Sequence, residues 1–109
     1  MFTLRQAIDY VRNLADNNIG VNFDGWYGWQ CWDLVAKVMY EATGKVVNGN
    51  AIDLLDSAAA QGLNVIQEGP GVIAKAGDIF VMDVPGSPYG HTGVVIEDSD
   101  GYTLKTIEQ

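Results

Sequence analysis

The feature that most constrains this chain is a change of hydrophobic period near its middle. Up to Gly62 the apolar residues recur at helical spacing. The first set is Leu4, Ala7, Ile8, Val11 and Leu14; the second is Cys31, Leu34, Val35, Val38, Met39 and Ala42; the third is Ile52, Leu54, Leu55, Ala58 and Ala59. Beyond Gly62 they come in short runs or alternate, as strands require. Thr3 with Gln6 reads as a capping box for the first helix, which Asp16-Asn17-Asn18 stops before Gly20 opens a loop. The second helix fits from about Cys31 to Ala42, with Gly44 as its C-terminal cap. Asn50 with Asp53 can cap the third, which Gly62 ends. Leu63 to Gln67 reads as a short strand and Ile79 to Met82 as a buried one. After a loop from Val84 to Gly90 come strands His91 to Glu97 and Tyr102 to Glu108, joined through Asp98-Ser99-Asp100-Gly101. Helices followed by antiparallel strands define an α+β fold, and 109 residues make one domain.

Composition narrows the function classes. Hydrophobic residues are 48% and charged residues 18%, enough apolar surface for a packed core and too little charge for a disordered chain. Six Lys and Arg against fourteen Asp and Glu give a net charge of -8. A surface of that sign repels phosphate backbones, which argues against nucleic-acid binding, and it leaves room for divalent cations. No apolar run reaches the length of a membrane span, and the N-terminus lacks the layout of a signal peptide. One cysteine excludes a disulfide framework and a cysteine-based zinc cluster.

That cysteine, Cys31, opens the second helix, where unpaired N–H groups and the helix dipole favour a thiolate and can hold an oxyanion. The single histidine, His91, follows the glycine-containing segment Pro88-Tyr89-Gly90 and is the available base. Glu108 can orient it. If the last hairpin turns over the four residues Asp98 to Gly101, Glu108 lies opposite His91. If it turns over Asp100-Gly101 alone, the two are diagonal neighbours. Either register puts both side chains on one face, whereas an odd-length loop without a compensating bulge would separate them. Taken singly, a cysteine on an apolar stripe is ordinarily inert core, a histidine at a strand edge ordinarily structural, and a terminal glutamate ordinarily solvated. Their joint placement favours catalysis.

The twelve residues Asn22 to Asp33 offer a second pattern. Side-chain oxygens of Asn22, Asp24 and Asp33 fall at positions 1, 3 and 12, and the carbonyls of Trp26 and Gly28 at 5 and 7, the ligand spacing of an EF-hand loop. Asn at position 1, Asp at 12 and Tyr27 at 6 depart from that pattern. The alternative is an Asn/Asp/Gly turn with an exposed Asp33–Lys37 pair. Trp26, Tyr27, Trp29 and Trp32 cluster around Cys31, and some of these rings are expected to wall a groove.

The segments Gly28-Trp29-Gln30-Cys31-Trp32-Asp33, Ala76-Gly77-Asp78-Ile79-Phe80-Val81, Tyr89-Gly90-His91-Thr92-Gly93-Val94-Val95 and Ile107-Glu108-Gln109 resemble the CHAP domain, the cysteine, histidine-dependent amidohydrolase/peptidase of phage endolysins and bacterial autolysins. The resemblance runs from about residue 3 to 109. It implies a papain-like α+β fold with N-terminal helices on an antiparallel sheet. It also implies Cys31 as nucleophile, His91 as base and Glu108 as its orienting acid. Gln30, just before the nucleophile, is a weaker candidate for a second oxyanion donor beside the Cys31 N–H. Some members bind calcium in the loop before the cysteine, which corresponds to Asn22, Asp24, Trp26, Gly28 and Asp33. The implied activity is peptidoglycan hydrolysis, as an endopeptidase or N-acetylmuramoyl-L-alanine amidase, by a chain made in the cytoplasm of an infected host and acting on the wall. The rival class is a non-enzymatic, calcium-dependent wall-binding module. Many members continue past the glutamate with Gln-Asn and further strands, whereas this sequence stops at Gln109. It is therefore expected to be one catalytic domain of a longer lysin, monomeric, with a terminal strand able to mediate association.

Overall fold

A computed structural model describes the chain at every residue except Trp26, Tyr27, Trp29 and Glu68. Helix α1 spans Leu4–Asp16 and α2 Cys31–Thr43; a 3₁₀ turn at Ala51–Asp53 leads into α3, Leu54–Ala60. Strands β1 (Ile79–Val84), β2 (Ser87–Val95) and β3 (Thr106–Glu108) form one antiparallel sheet in the order β1-β2-β3. The α+β expectation therefore holds. Among the described residues no helix is long and apolar enough to cross a membrane.

The helix ends follow from local chemistry. Thr3 and Gln6 form a reciprocal capping box, with bonds of 3.1 Å from Gln6 N–H to Thr3 Oγ1 and 2.9 Å from Thr3 N–H to Gln6 Oε1. At the other end of α1 the left-handed residue is Asn18 (φ 52°) rather than Gly20. The N–H of Ile19 bonds the carbonyl of Leu14 and that of Asn18 the carbonyl of Ala15, a Schellman closure that an asparagine tolerates. Gly44 ends α2 as expected, at φ 74°.

Helix α2 packs on β2, with α1 against α2 and β3. Ala7 and Val11 of α1, Leu34, Val35, Ala36 and Val38 of α2, Val94 of β2, and Val47 and Leu54 share one core. The sequence stripe of α2 thus becomes its buried face.

The strands differ from the sequence reading in three places. Leu63 to Gln67 is not a strand. The loop drawn from Val84 to Gly90 contracts to Pro85-Gly86, with Val84 paired to Ser87. Proline followed by glycine at φ 82° is the type II turn pairing, and an irregularity between Met82 and Val84 absorbs the mismatch. The last strand is also shorter than Tyr102 to Glu108. Asp100 accepts from the N–H groups of Tyr102 (2.8 Å) and Thr103 (2.9 Å), which curls that stretch into a loop. Those two bonds hold the Asp100 carboxyl below its ordinary range.

Candidate active site

Cys31 is the first residue of α2 and a half-buried free thiol. Asp33, two residues on, fixes where the helix starts. Its side chain is fully buried, and its two oxygens gather three backbone amides of the preceding loop. Oδ1 accepts from Phe23 at 3.0 Å and Asp24 at 3.3 Å, and Oδ2 accepts from Gln30 at 3.1 Å. The bond to Gln30 is the side-chain half of a capping box, so the residue before Cys31 is pinned in an extended conformation. A buried carboxylate is tolerated here because amide dipoles and the helix N-terminus face it. The exposed Asp33–Lys37 pair of the alternative reading does not form; Lys37 pairs with Glu41 instead, at 2.6 Å.

Of the cation-loop residues, Asn22, Asp24 and Gly28 are exposed on the loop and Asp33 is buried beneath it. Trp26, with Tyr27 and Trp29 of the expected aromatic wall, lies outside the described residues. Among the described residues no group of three or more His, Cys, Asp or Glu side chains could hold a metal. A cation there would need Asn22 and main-chain carbonyls beside Asp24 and Asp33. The donor chemistry fits a hard cation: every donor is oxygen, and an ionised Asp33 has about four acceptor positions, of which three are used. Trp32, next to the thiol, packs against the core, edge-on to Phe23 at 6.0 Å between ring centroids. Trp32 is partly buried, and the part of its ring that meets Phe23 belongs to the interior.

His91 lies on β2 opposite Met82, with its ring 6.0 Å from that of Phe80. Gly90 before it has φ +71°, and a Cβ there would lie 3.0 Å from Ile52 and from the carbonyl of Met82. The glycine serves a close passage beneath the 3₁₀ turn.

Nε2 of His91 hydrogen-bonds Oε1 of Glu108. The ladder pairs Gly93 with Glu108 and Val94 with Ile107, so Glu108 is the diagonal neighbour of His91. Of the two registers left open by the sequence, this is the one set by a turn at Asp100-Gly101. Gly93 makes the diagonal reach possible: a Cβ there would fall 2.7 Å from Cγ of Glu108 and 2.7 Å from the Phe80 ring. Oε2 of Glu108 accepts from the Thr106 hydroxyl at 2.5 Å. That bond, and then the imidazole, hold the Glu108 carboxyl below the ordinary glutamate range. Thr106 was missed in the sequence, although Thr-x-Glu places both residues on one face of a strand.

Gln109 was missed as well. Its side chain reaches Val21 and the carbonyl of Gln30, at the two ends of the loop before Cys31. A succession of contacts thus runs from His91 through Glu108, Gln109 and Gln30 to Cys31. Gln30, the candidate oxyanion donor, is exposed at this helix end. A separate cleft of about 280 Å³ lies between the end of α1 and β3, lined by Leu14, Ile19, Leu34, Ile107, Glu108 and Gln109 among others, and neither Cys31 nor His91 borders it.

The chain is thus an α+β domain with a thiol at the start of α2 and a histidine–glutamate pair on the sheet against which that helix packs. Comparison with known proteins makes the family definite. The CHAP domain family model matches residues 7–109, and the chain belongs to that family. It is 36% identical over 98 residues to endolysin PlyTW of Staphylococcus phage Twort, a match over 87% of this chain and 21% of that protein. The crystal structure of wild-type endolysin LysIME-EF1 superposes with a TM-score of 0.74 at 32% identity, over 100% of this chain and 51% of that one. The chain thus spans about a fifth of the first protein and about half of the second.

Proposed function

We propose that this chain is the catalytic domain of a peptidoglycan hydrolase that cleaves a wall amide bond by a thiol mechanism, as an endopeptidase or N-acetylmuramoyl-L-alanine amidase. The observation that carries the reading is the His91–Glu108 hydrogen bond, tied through Gln109 to the residue preceding Cys31. Both relatives are endolysins by name, which supports the wall as substrate.

With Nε2 engaged by Glu108, Nδ1 is the nitrogen left for the thiol. In the proposed reaction Nδ1 takes the Cys31 proton, and the sulfur attacks the amide carbonyl to form a tetrahedral intermediate. The N–H of Cys31, which as a first-turn group has no partner within the helix, helps hold the oxyanion; Gln30 is the second candidate donor. His91 then returns its proton to the leaving amine as the C–N bond breaks. Water, deprotonated by the same imidazole, attacks the thioester and releases the acid and the thiol. Glu108 stays ionised throughout and keeps the ring oriented.

Calcium is part of the proposal as a structural ion. Asn22, Asp24 and Asp33, with the carbonyls of Trp26 and Gly28, would hold it. Its chemistry there is charge compensation that stiffens the loop before the nucleophile. A turbidity assay on purified cell walls, with mass spectrometry of the fragments, tests the reaction. Cys31→Ala should lower lysis by at least about 10³-fold with the fold intact. Undiminished lysis by that variant, or fragments cut at glycosidic bonds, would remove the thiol mechanism.

A further inference from the structure

The side chain of Gln109 is hydrogen-bonded through its oxygen and through both hydrogens of its NH₂. Oε1 accepts the N–H of Val21 at 2.7 Å, and Nε2 donates to the carbonyls of Val21 at 2.8 Å and Gln30 at 2.6 Å. With Val21 the carboxamide behaves as a strand residue would, exchanging a donor and an acceptor with one backbone unit. The third bond goes to the residue before Cys31. The partners lie 88 and 79 positions away in sequence, so these bonds are purely tertiary. The geometry is demanding: one acceptor and two donors are needed at this length. Glutamate has no donor, lysine has no acceptor, and asparagine is a methylene too short.

The neighbouring residue gives this arrangement its meaning. Successive strand side chains point to opposite faces, so Glu108 reaches His91 while Gln109 reaches the loop. One strand end therefore grips both the base-orienting pair and the segment that delivers the thiol. We propose that Gln109 is a positioning residue, which locks the loop before Cys31 to the strand bearing Glu108 and so fixes the spacing of sulfur and imidazole. This inference rests on the thiol reading above. Gln109 touches no reacting atom and acts through Gln30 and Glu108.

Gln109→Glu and Gln109→Ala, made in the full chain, test it on purified cell walls. Each should lower kcat by about 10²-fold, the loss a shift of about 1 Å in reacting atoms produces, with KM nearly unchanged. The losses should also be non-additive: in a Glu108→Gln background, Gln109→Glu should cost less than about threefold more, because the ionic grip on His91 through which Gln109 acts is already weakened. A purely structural glutamine would instead lower the melting temperature while kcat per folded molecule stayed constant, and its effect would add to that of Glu108→Gln. Either result overturns the proposal. Should both variants fail to fold, the wild-type chain still decides. Its Gln109 carboxamide protons should exchange with solvent at least about tenfold more slowly than those of the exposed Gln67, and equal rates overturn the tie. Wall lysis that survives Cys31→Ala removes the thiol reading and this inference together. Thiol-dependent lysis indifferent to Gln109→Glu removes this inference alone.

Discussion

Replacing Asp33 with asparagine changes one oxygen to an NH₂ at the centre of the loop before α2, and the structure fixes what that does. Asp33 is fully buried and accepts three backbone N–H groups, two at Oδ1 and one at Oδ2. Asparagine can keep its oxygen toward Phe23 and Asp24, but its NH₂ then meets the Gln30 N–H, donor against donor. One charge-assisted bond is lost and one amide is left unpaired, a cost of about 1.5–3 kcal/mol. Asp33→Ala frees all three amides. Phe23 is half-buried and Asp24 exposed, so part of what they lose is recovered from water, and the net loss is about 3–5 kcal/mol. For a domain of this size those losses lower the melting temperature by about 5–12 °C for asparagine and about 12–20 °C for alanine. Differential scanning calorimetry in EDTA isolates this role from any role in cation binding. If the amide anchor is the main function of Asp33, both shifts persist without calcium. Asp33→Asn melting within about 2 °C of wild type in EDTA would refute the reasoning. A difference that appears only on adding calcium would reassign Asp33 to the ion.

Three further outcomes follow. Glu108 has a folded-state pKa held down by Thr106 and His91, so its stabilisation is present above the ordinary glutamate range and lost as pH falls through the folded value. The melting-temperature gap between wild type and Glu108→Gln should therefore be widest near neutrality and close in acid; a gap that widens in acid contradicts the assignment. Gly77 has φ +92°, and a Cβ there would lie 1.9 Å from Cδ1 of Leu4, so Gly77→Ala should cost about 1–3 kcal/mol in urea unfolding, whereas an unchanged midpoint would show the N-terminus of α1 free to move. Calcium added to the metal-free protein should raise the melting temperature and release or absorb heat in a titration, and Asp24→Ala should abolish both. Silence in both measurements on the wild type would count against the cation loop.

The helices were legible because their signals are local. The capping box of α1, the apolar stripe of α2 and the glycine that ends it all lie within a few residues of what they control. The His91–Glu108 pairing was legible for a related reason: with a period of two, every even-length turn between the strands puts the two residues on one face. The sheet boundaries were harder. Pro88 and Gly90 read as loop residues, yet β2 runs through both, because the ladder to β1 is closed on either side, at Ser87 and at His91, and the stretch between them takes up the register shift. The aspartate that curls residues 100–103 looked instead like part of a hairpin turn. Long-range side-chain bonds were the least legible. Nothing in the spacing of Gln109 announces a partner at Val21, and a buried Asp33 holding three amides looks in sequence like an exposed helical acid.

Strand β3 consists of three residues at the margin of the sheet, yet Glu108 leaves it in one direction and Gln109 follows immediately in another. Fraying of this short ribbon would release the ring and the thiol's approach segment in the same instant, with α1, α2 and the β1–β2 hairpin still standing. Competence for the proposed reaction would then follow the opening of this strand end rather than the unfolding of the whole domain. Moderate warming should extinguish turnover while the helical signal is still intact.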